Sequence, residues 1–457
     1  MSAGRVGWRP APQPRDTLPG VAPLQPPRRP PAYALFTATL LACLLAACAE
    51  RTSPPAEGRA PVQGGARLSQ DPSCVSSLRF DKVHAARSSA RLPGAAWRVN
   101  GELPVTVPVT SEGAVYGGTS GVLPDQGCVF AADARTGLLR WSTGGGISQG
   151  TWPLIAGDRV IAALQGGELV ALDARTGAAH WIIETGGLWE TEPLLAGGVL
   201  YAAPSSGVVA VDPVAGRPRW QVRGKVGAMV ADRDGVLVSW LGSSGSVTSA
   251  LDPATGRERW RARVDRAGTV VVARAAGTVV LRGAPNVLYG VDGSTGRRMW
   301  ELDVPGGDST PVAVARGRLL LRSDDGNAYA VDARTGRVAW RTAVGFGDDL
   351  EPPAVDGATV YLGGSSAVTS YLWALDVDTG RVRWRLDTEA PVGTRPQVHG
   401  ELVLVGDAAT WVYAVDRRSG RLRSRYAAGG VVDQRLAVDR GWVFARVDGK
   451  GLAGIPL

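Results

Sequence analysis

The sequence predicts an all-β protein, a single β-propeller of four-stranded blades, on three observations. An eleven-residue phrase, Ala-x-Asp-x-x-x-Gly-x-x-x-Trp, recurs eight times with small variations between residues 131 and 424. Two further short apolar runs precede each copy, as in PLIAGDRVIAALQGGELVALD (153–173), so a unit holds four strands in about forty residues. Trp97 stands alone before the first copy, and the C-terminal stretch QRLAVDRGWVFARVDGKGLAGIPL supplies three strands without a fourth. The two ends are therefore expected to meet, the strand at Trp97 closing the last blade.

The phrase has a mechanical reading. Its aspartates, Asp133, Asp173, Asp212, Asp252, Asp292, Asp332, Asp376 and Asp416, follow one another at intervals of 40, 39, 40, 40, 40, 44 and 40 residues. Apolar residues end one strand, the carboxylate accepts backbone N–H groups to shape a turn, and the glycine takes positive φ before the next strand. The aspartates are thus structural turn residues. Trp141, Trp181, Trp220, Trp260, Trp300, Trp340 and Trp384 close seven copies, the eighth ending in Ser424. With Trp97 they are placed on outer strands, where each ring can cover the joint with the neighbouring blade for a few kcal/mol of burial. Trp152, Trp189, Trp240 and Trp411 fall outside these positions, as a partner-facing surface or as further core aromatics between blades.

With this signature, residues 97–457 resemble the quinoprotein-type propeller repeat. The resemblance implies eight blades, the favoured expectation, although eight phrases plus the split blade literally count nine. It also raises a dehydrogenase with pyrroloquinoline quinone and calcium at the propeller axis. The adjacent-cysteine disulfide that stacks on the quinone in those enzymes has no counterpart, since no two of Cys43, Cys48, Cys74 and Cys128 are neighbours. No haem-attachment motif occurs, and the blades lack long insertions. His84, His180 and His399 are widely spaced, and none adjoins a serine or cysteine nucleophile motif. Gly144-Gly145-Gly146 and Gly363-Gly364 precede no helix and read as turns, not phosphate cradles. The expectation is a non-enzyme without cofactor, metal or catalytic residue.

Ahead of the propeller, the chain divides into three parts. Residues 1–47 read as a lipoprotein signal peptide: a Pro- and Arg-rich start, the short apolar run Ala32–Ala47, and Leu45-Ala46-Ala47-Cys48, which resembles a lipobox with Cys48 as the lipidated residue. The apolar run is too short to span a bilayer comfortably as a helix. Residues 48–65 read as a flexible tether, 66–95 as an irregular segment without the repeat, and 96–457 as the propeller. The expected location is the cell envelope through a lipid anchor. In a Gram-negative cell that means the outer membrane, facing the periplasm; otherwise it means the outer face of the plasma membrane. Cleavage before Cys48 leaves Cys74 and Cys128 as the remaining thiols of an oxidising compartment, where a disulfide between them and two buried unpaired thiols both stay open.

Net charge is +8, of which +4 lies before residue 48. Lysine occurs only at Lys82, Lys225 and Lys450, so arginine dominance reads as a compositional habit. No basic stripe interleaved with aromatics points to nucleic acid.

Signal, lipidated cysteine, tether and a propeller without insertions together resemble the BamB family, lipoproteins that assist the β-barrel assembly machinery of the outer membrane. The resemblance implies a scaffold that docks a protein partner of that machinery. It carries the family's partner-binding Leu-Arg-Gly element onto Val222-Arg223-Gly224, with valine in place of leucine, and a second, Asp-rich element onto Asp308-Ser309-Thr310-Pro311. Arg223, Gly224 and Asp308 are thereby the candidate partner-binding residues. A second reading is a cell-surface propeller that senses or binds a ligand or protein at its axial funnel.

Overall fold

Each repeat folds as one antiparallel sheet because its apolar residues alternate with turn signals at two-residue hairpins. A computed structural model of the chain describes residues 78–82, 96–101, 105–120, 127–187, 189, 191–242, 245–263, 270–283, 286–306, 312–345, 351–366, 369–432, 434–448 and 451–457. The described strands form nine sheets. Blades 1 to 8 comprise residues 109–144, 154–184, 194–223, 226–263, 270–303, 313–343, 354–388 and 397–427, each with four strands in sequence order. Blade 9 is assembled from both ends: Ala437–Asp439, Trp442–Val447 and Gly451–Pro456 pair in order, and Trp97–Gly101 follows as the outer strand. Trp97 stands opposite Gly454 and Val99 opposite Leu452.

The predicted closure by the strand at Trp97 is thus observed. Of the two expected counts, eight favoured and nine by literal count, the structure has nine: every phrase closes a sheet of its own, and the split blade adds another. Residues 78–82, within the stretch expected to be irregular, form a further strand on the outer edge of blade 9, with Lys82 opposite Trp97.

Among the described residues the core is distributed as nine apolar clusters, each shared by two neighbouring blades. The cluster of Leu404, Val412, Val443 and Ile455 joins blades 8 and 9, and that of Val99, Phe130, Phe444 and Leu452 joins blades 9 and 1. The ring is closed by packing as well as by strand pairing.

The repeated phrase works as a lock between blades. The indole N–H of each tryptophan donates to a backbone carbonyl in the Asp-turn of the next blade, at 2.8–3.2 Å, from Trp97 to Ala134 and Trp141 to Ala174 through to Trp384 to Arg417. The turn glycine has φ of 66–73° and lies on the previous blade's indole, where a Cβ on Gly336 would come within 2.6 Å of Trp300. Only glycine satisfies both constraints. Ser424 replaces the tryptophan of blade 8, facing blade 9, whose third and outer strands, Gly451–Pro456 and Trp97–Gly101, are not joined by an Asp-turn that could receive an indole. At that seam Arg98 instead donates to the carbonyl of Ala428 at 2.6 Å.

Each of the eight aspartates accepts backbone N–H groups of its own turn. In Asp252, Oδ1 accepts from the Ala254 and Thr255 N–H groups and the Thr255 hydroxyl, while Oδ2 accepts from Arg259 at 2.7 Å. The Arg259 guanidinium and the Thr255 hydroxyl hold the Asp252 carboxyl down at about 2. The hydroxyls of Ser294 and Thr295 do the same for Asp292, also to about 2. Folded carboxyls that titrate below their unfolded counterparts stabilise the fold fully above the unfolded pKa, and that stability disappears as pH falls through the folded one. The melting temperature is therefore expected to decline between about pH 4 and about pH 2, in a scan of thermal unfolding against pH. A flat profile down to about pH 2 would contradict this role.

Candidate partner-binding site

The link between blades 3 and 4 is the shortest of the ring, because the inner strand of blade 4 begins early. Strand Pro218–Arg223 passes through Gly224 and Lys225 alone into strand Val226–Asp232. Gly224 has a φ of 151°, and a Cβ there would come within 2.6 Å of the Trp240 ring, so glycine lets the link lie against the indole. The Lys225 carbonyl accepts from Leu241 N–H at 2.8 Å, and Val226 is buried between the blades. A register shift between Val226 and Ala228 turns the strand at this point.

The result is a cleft of about 460 Å³ whose lining includes Val222, Arg223, Lys225, Trp240, Leu241 and Glu258. Trp240 is partly buried and Leu241 is exposed, so the floor is apolar. The Glu258 carboxylate is occupied by the Ser249 hydroxyl at 2.7 Å and by Arg261 at 2.7 Å. Arg223 and Lys225 are exposed and make no ion pair with any described residue. Chemically, the cleft suits an apolar side chain flanked by a carboxylate.

Of the other singled-out residues, Asp308, Cys48 and Cys74 lie outside the described residues. Cys128 is fully buried in blade 1 and disulfide-bonded. Trp189 is a core residue that donates to the Leu164 carbonyl at 2.8 Å, whereas Trp411 lies under the Arg425 guanidinium, 4.4 Å from its ring centre. His180 leans on the turn carboxylate of Asp173 at 3.6 Å. Among the described residues no group of three or more His, Cys, Asp or Glu could hold a metal ion, and no helix is long and apolar enough to cross a membrane.

The family model of outer membrane protein assembly factor BamB matches residues 94–240, 243–372 and 368–455, nearly the whole propeller. The chain belongs to the BamB family. In structure, this BamB-family propeller is similar to BamB from Moraxella catarrhalis, with a TM-score of 0.51 and 21% identity over 68% of this chain and 97% of that one. At that identity the likeness is one of fold. A europium-containing methanol dehydrogenase is similar with a TM-score of 0.45 and 14% identity, covering 83% of this chain and 86% of that one. A quinohemoprotein alcohol dehydrogenase from Pseudomonas putida HK5 is similar with a TM-score of 0.46 and 15% identity, covering 80% and 72%. Neither likeness carries an argument about activity. No curated protein matches the chain.

Proposed function

We propose that the protein is a non-catalytic envelope lipoprotein that serves as a scaffold in the assembly and insertion of β-barrel outer-membrane proteins. In this reading Cys48 carries the lipid anchor, the propeller faces the periplasm, and a pairing of Cys74 with Cys128 ties the preceding segment to blade 1. Family membership supports the general role. The observation that carries the site is the cleft at the link of blades 3 and 4, where Arg223 and Lys225 stand without ion pairs beside Trp240 and Leu241. An assembly partner would place an apolar side chain on Trp240 and a carboxylate on Arg223.

The test is affinity capture of the tagged, lipidated chain from detergent-solubilised envelopes, with mass spectrometry of what co-purifies. A barrel-forming assembly protein is expected in the eluate, and Arg223→Glu is expected to reduce its recovery at least about tenfold by setting like charges together. Undiminished capture by the Arg223→Glu chain would move the contact away from this cleft. Absence of any assembly protein from the wild-type eluate would remove the function itself.

A further inference from the structure

The end of the propeller that carries the Asp-turns is a single surface. The indole bonds join these turns blade to blade around the ring, and within a blade the inner hairpin lies beside the Asp-turn, as in Ala134 N–H to the Gly113 carbonyl and Ala333 N–H to the Gly317 carbonyl. Two independent features coincide there. In each of blades 1 to 8 the turn carries an exposed arginine with no ion-pair partner among the described residues: Arg135 and Arg175 within the first two turns, then the residue just after the turn glycine, from Arg217 to Arg421. Between these cations stand Leu138, Val214, Val338, Val382 and Leu422, five of the eight exposed large hydrophobics among the described residues, at 36–64% exposure.

The acidic residues of this end do not neutralise it. Five turn aspartates, Asp133, Asp212, Asp252, Asp376 and Asp416, pair with an arginine of their own blade, Asp232 and Asp234 pair with Arg274, Asp378 pairs with Arg316, and Asp356 and Glu401 pair with Arg417. Glu112, Asp158, Asp439 and the turn aspartates Asp173, Asp292 and Asp332 have no arginine partner among the described residues, fewer than the eight unpaired arginines of the turns.

We propose that this face rests on the surface of an anionic phospholipid bilayer, its arginines on headgroup phosphates and its aliphatic side chains in the headgroup boundary. Guanidinium groups match phosphate oxygens with two parallel N–H bonds. A ring of cations spread over one face suits a planar array of phosphates, whereas a nucleic acid strand calls for a groove with stacking aromatics, and leucine and valine would gain nothing from it. From Cys48 to Leu78 the chain spans at most about 100 Å when extended, so an anchor at Cys48 leaves this face free to turn to the membrane.

The experiment uses the full chain and phosphatidylcholine vesicles with or without about one third phosphatidylglycerol, at low and high salt, and reads the ratio of partitioning onto the two kinds. Whatever lies N-terminal to the propeller is the same in wild type and variants, so differences between them report the face. Loss of each arginine is expected to lower the anionic preference on the order of fivefold, and R297Q/R337Q/R381Q/R421Q by about a hundredfold or more. These side chains have no ion-pair partners, so the variant should melt near wild type. An anionic preference equal to wild type, or one insensitive to salt, would overturn the proposal. L138S/V214S/L422S is expected to weaken binding to vesicles without changing its salt dependence. If that variant binds like wild type and dextran sulfate competes fully, the face is a general polyanion surface and the bilayer assignment fails. None of the four arginines lines the cleft at blades 3 and 4, and vesicles contain no assembly partner, so this result is separate from the capture experiment.

Discussion

Trp97→Ala is expected to destabilise the propeller by about 3–5 kcal/mol, the range for deleting a large buried aromatic. The ring is 2% exposed, donates to the Ala134 carbonyl at 3.1 Å, supports Gly137 of blade 1, and lies 5.8 Å from Phe444. It also belongs to the one outer strand that comes from the far end of the chain. Urea unfolding of this variant beside Trp220→Ala, whose ring is only partly buried in an unbroken blade, measures what closure adds. The Trp97 variant should lose more; equal losses would mean that the split blade closes no more tightly than the others. Ser424→Trp should bring no gain, because no Asp-turn faces that position.

Asp407→Ala should cost about 3 kcal/mol or more by the same measurement, by stranding buried donors. Asp407 is fully buried, and its Oδ1 accepts from the N–H groups of Ala409, Thr410 and Trp411 at 3.1, 2.9 and 2.8 Å. Its Oδ2 accepts from the Tyr413 hydroxyl at 2.9 Å. That hydroxyl in turn accepts from the Glu389 N–H at 3.0 Å, and burial pushes the phenol above its ordinary pKa. Asp407→Asn keeps the Oδ1 acceptor and can donate to Tyr413, so it should lose only about 1–2 kcal/mol. An alanine variant as stable as the asparagine variant would show that water replaces the carboxylate.

The Asp-turns and the tryptophan locks were legible because each is carried by residues within one short phrase, repeated at constant spacing. Ser424 was legible as an exception and became intelligible only with blade 9 in place, since the missing indole answers to a missing turn in another part of the chain. The expectation of eight blades came from resemblance, which weighs a family's habit above the literal count, and packing followed the count. Asp407 and its counterpart Asp325, which accepts from Tyr329, sit in the loops between the second and third strands, where one acidic residue looks like any other until the hydroxyl across the hairpin is placed. A family element singles out Arg223 and Gly224 as candidates, but the indole of Trp240 against Gly224 depends on a close approach that spacing cannot reveal. In the sequence the arginines read as a habit of composition. Their meaning lies in their common end of the ring, a property of topology and not of any one window.

Contact range along the chain gives the ring an order of formation. Within blades 1 to 7 each indole reaches a turn 32–37 residues further along the chain, so each lock can close as soon as the next unit is free to fold. Trp97 finds its own acceptor at equally short range, yet its strand must wait for Gly451–Pro456, the last of the described strands. Pairing so distant in sequence is slow relative to the local locks. The folding chain therefore passes through a curved array of finished blades with a strand edge open at either end, and it is in that interval that it is most exposed to pairing with another copy of itself.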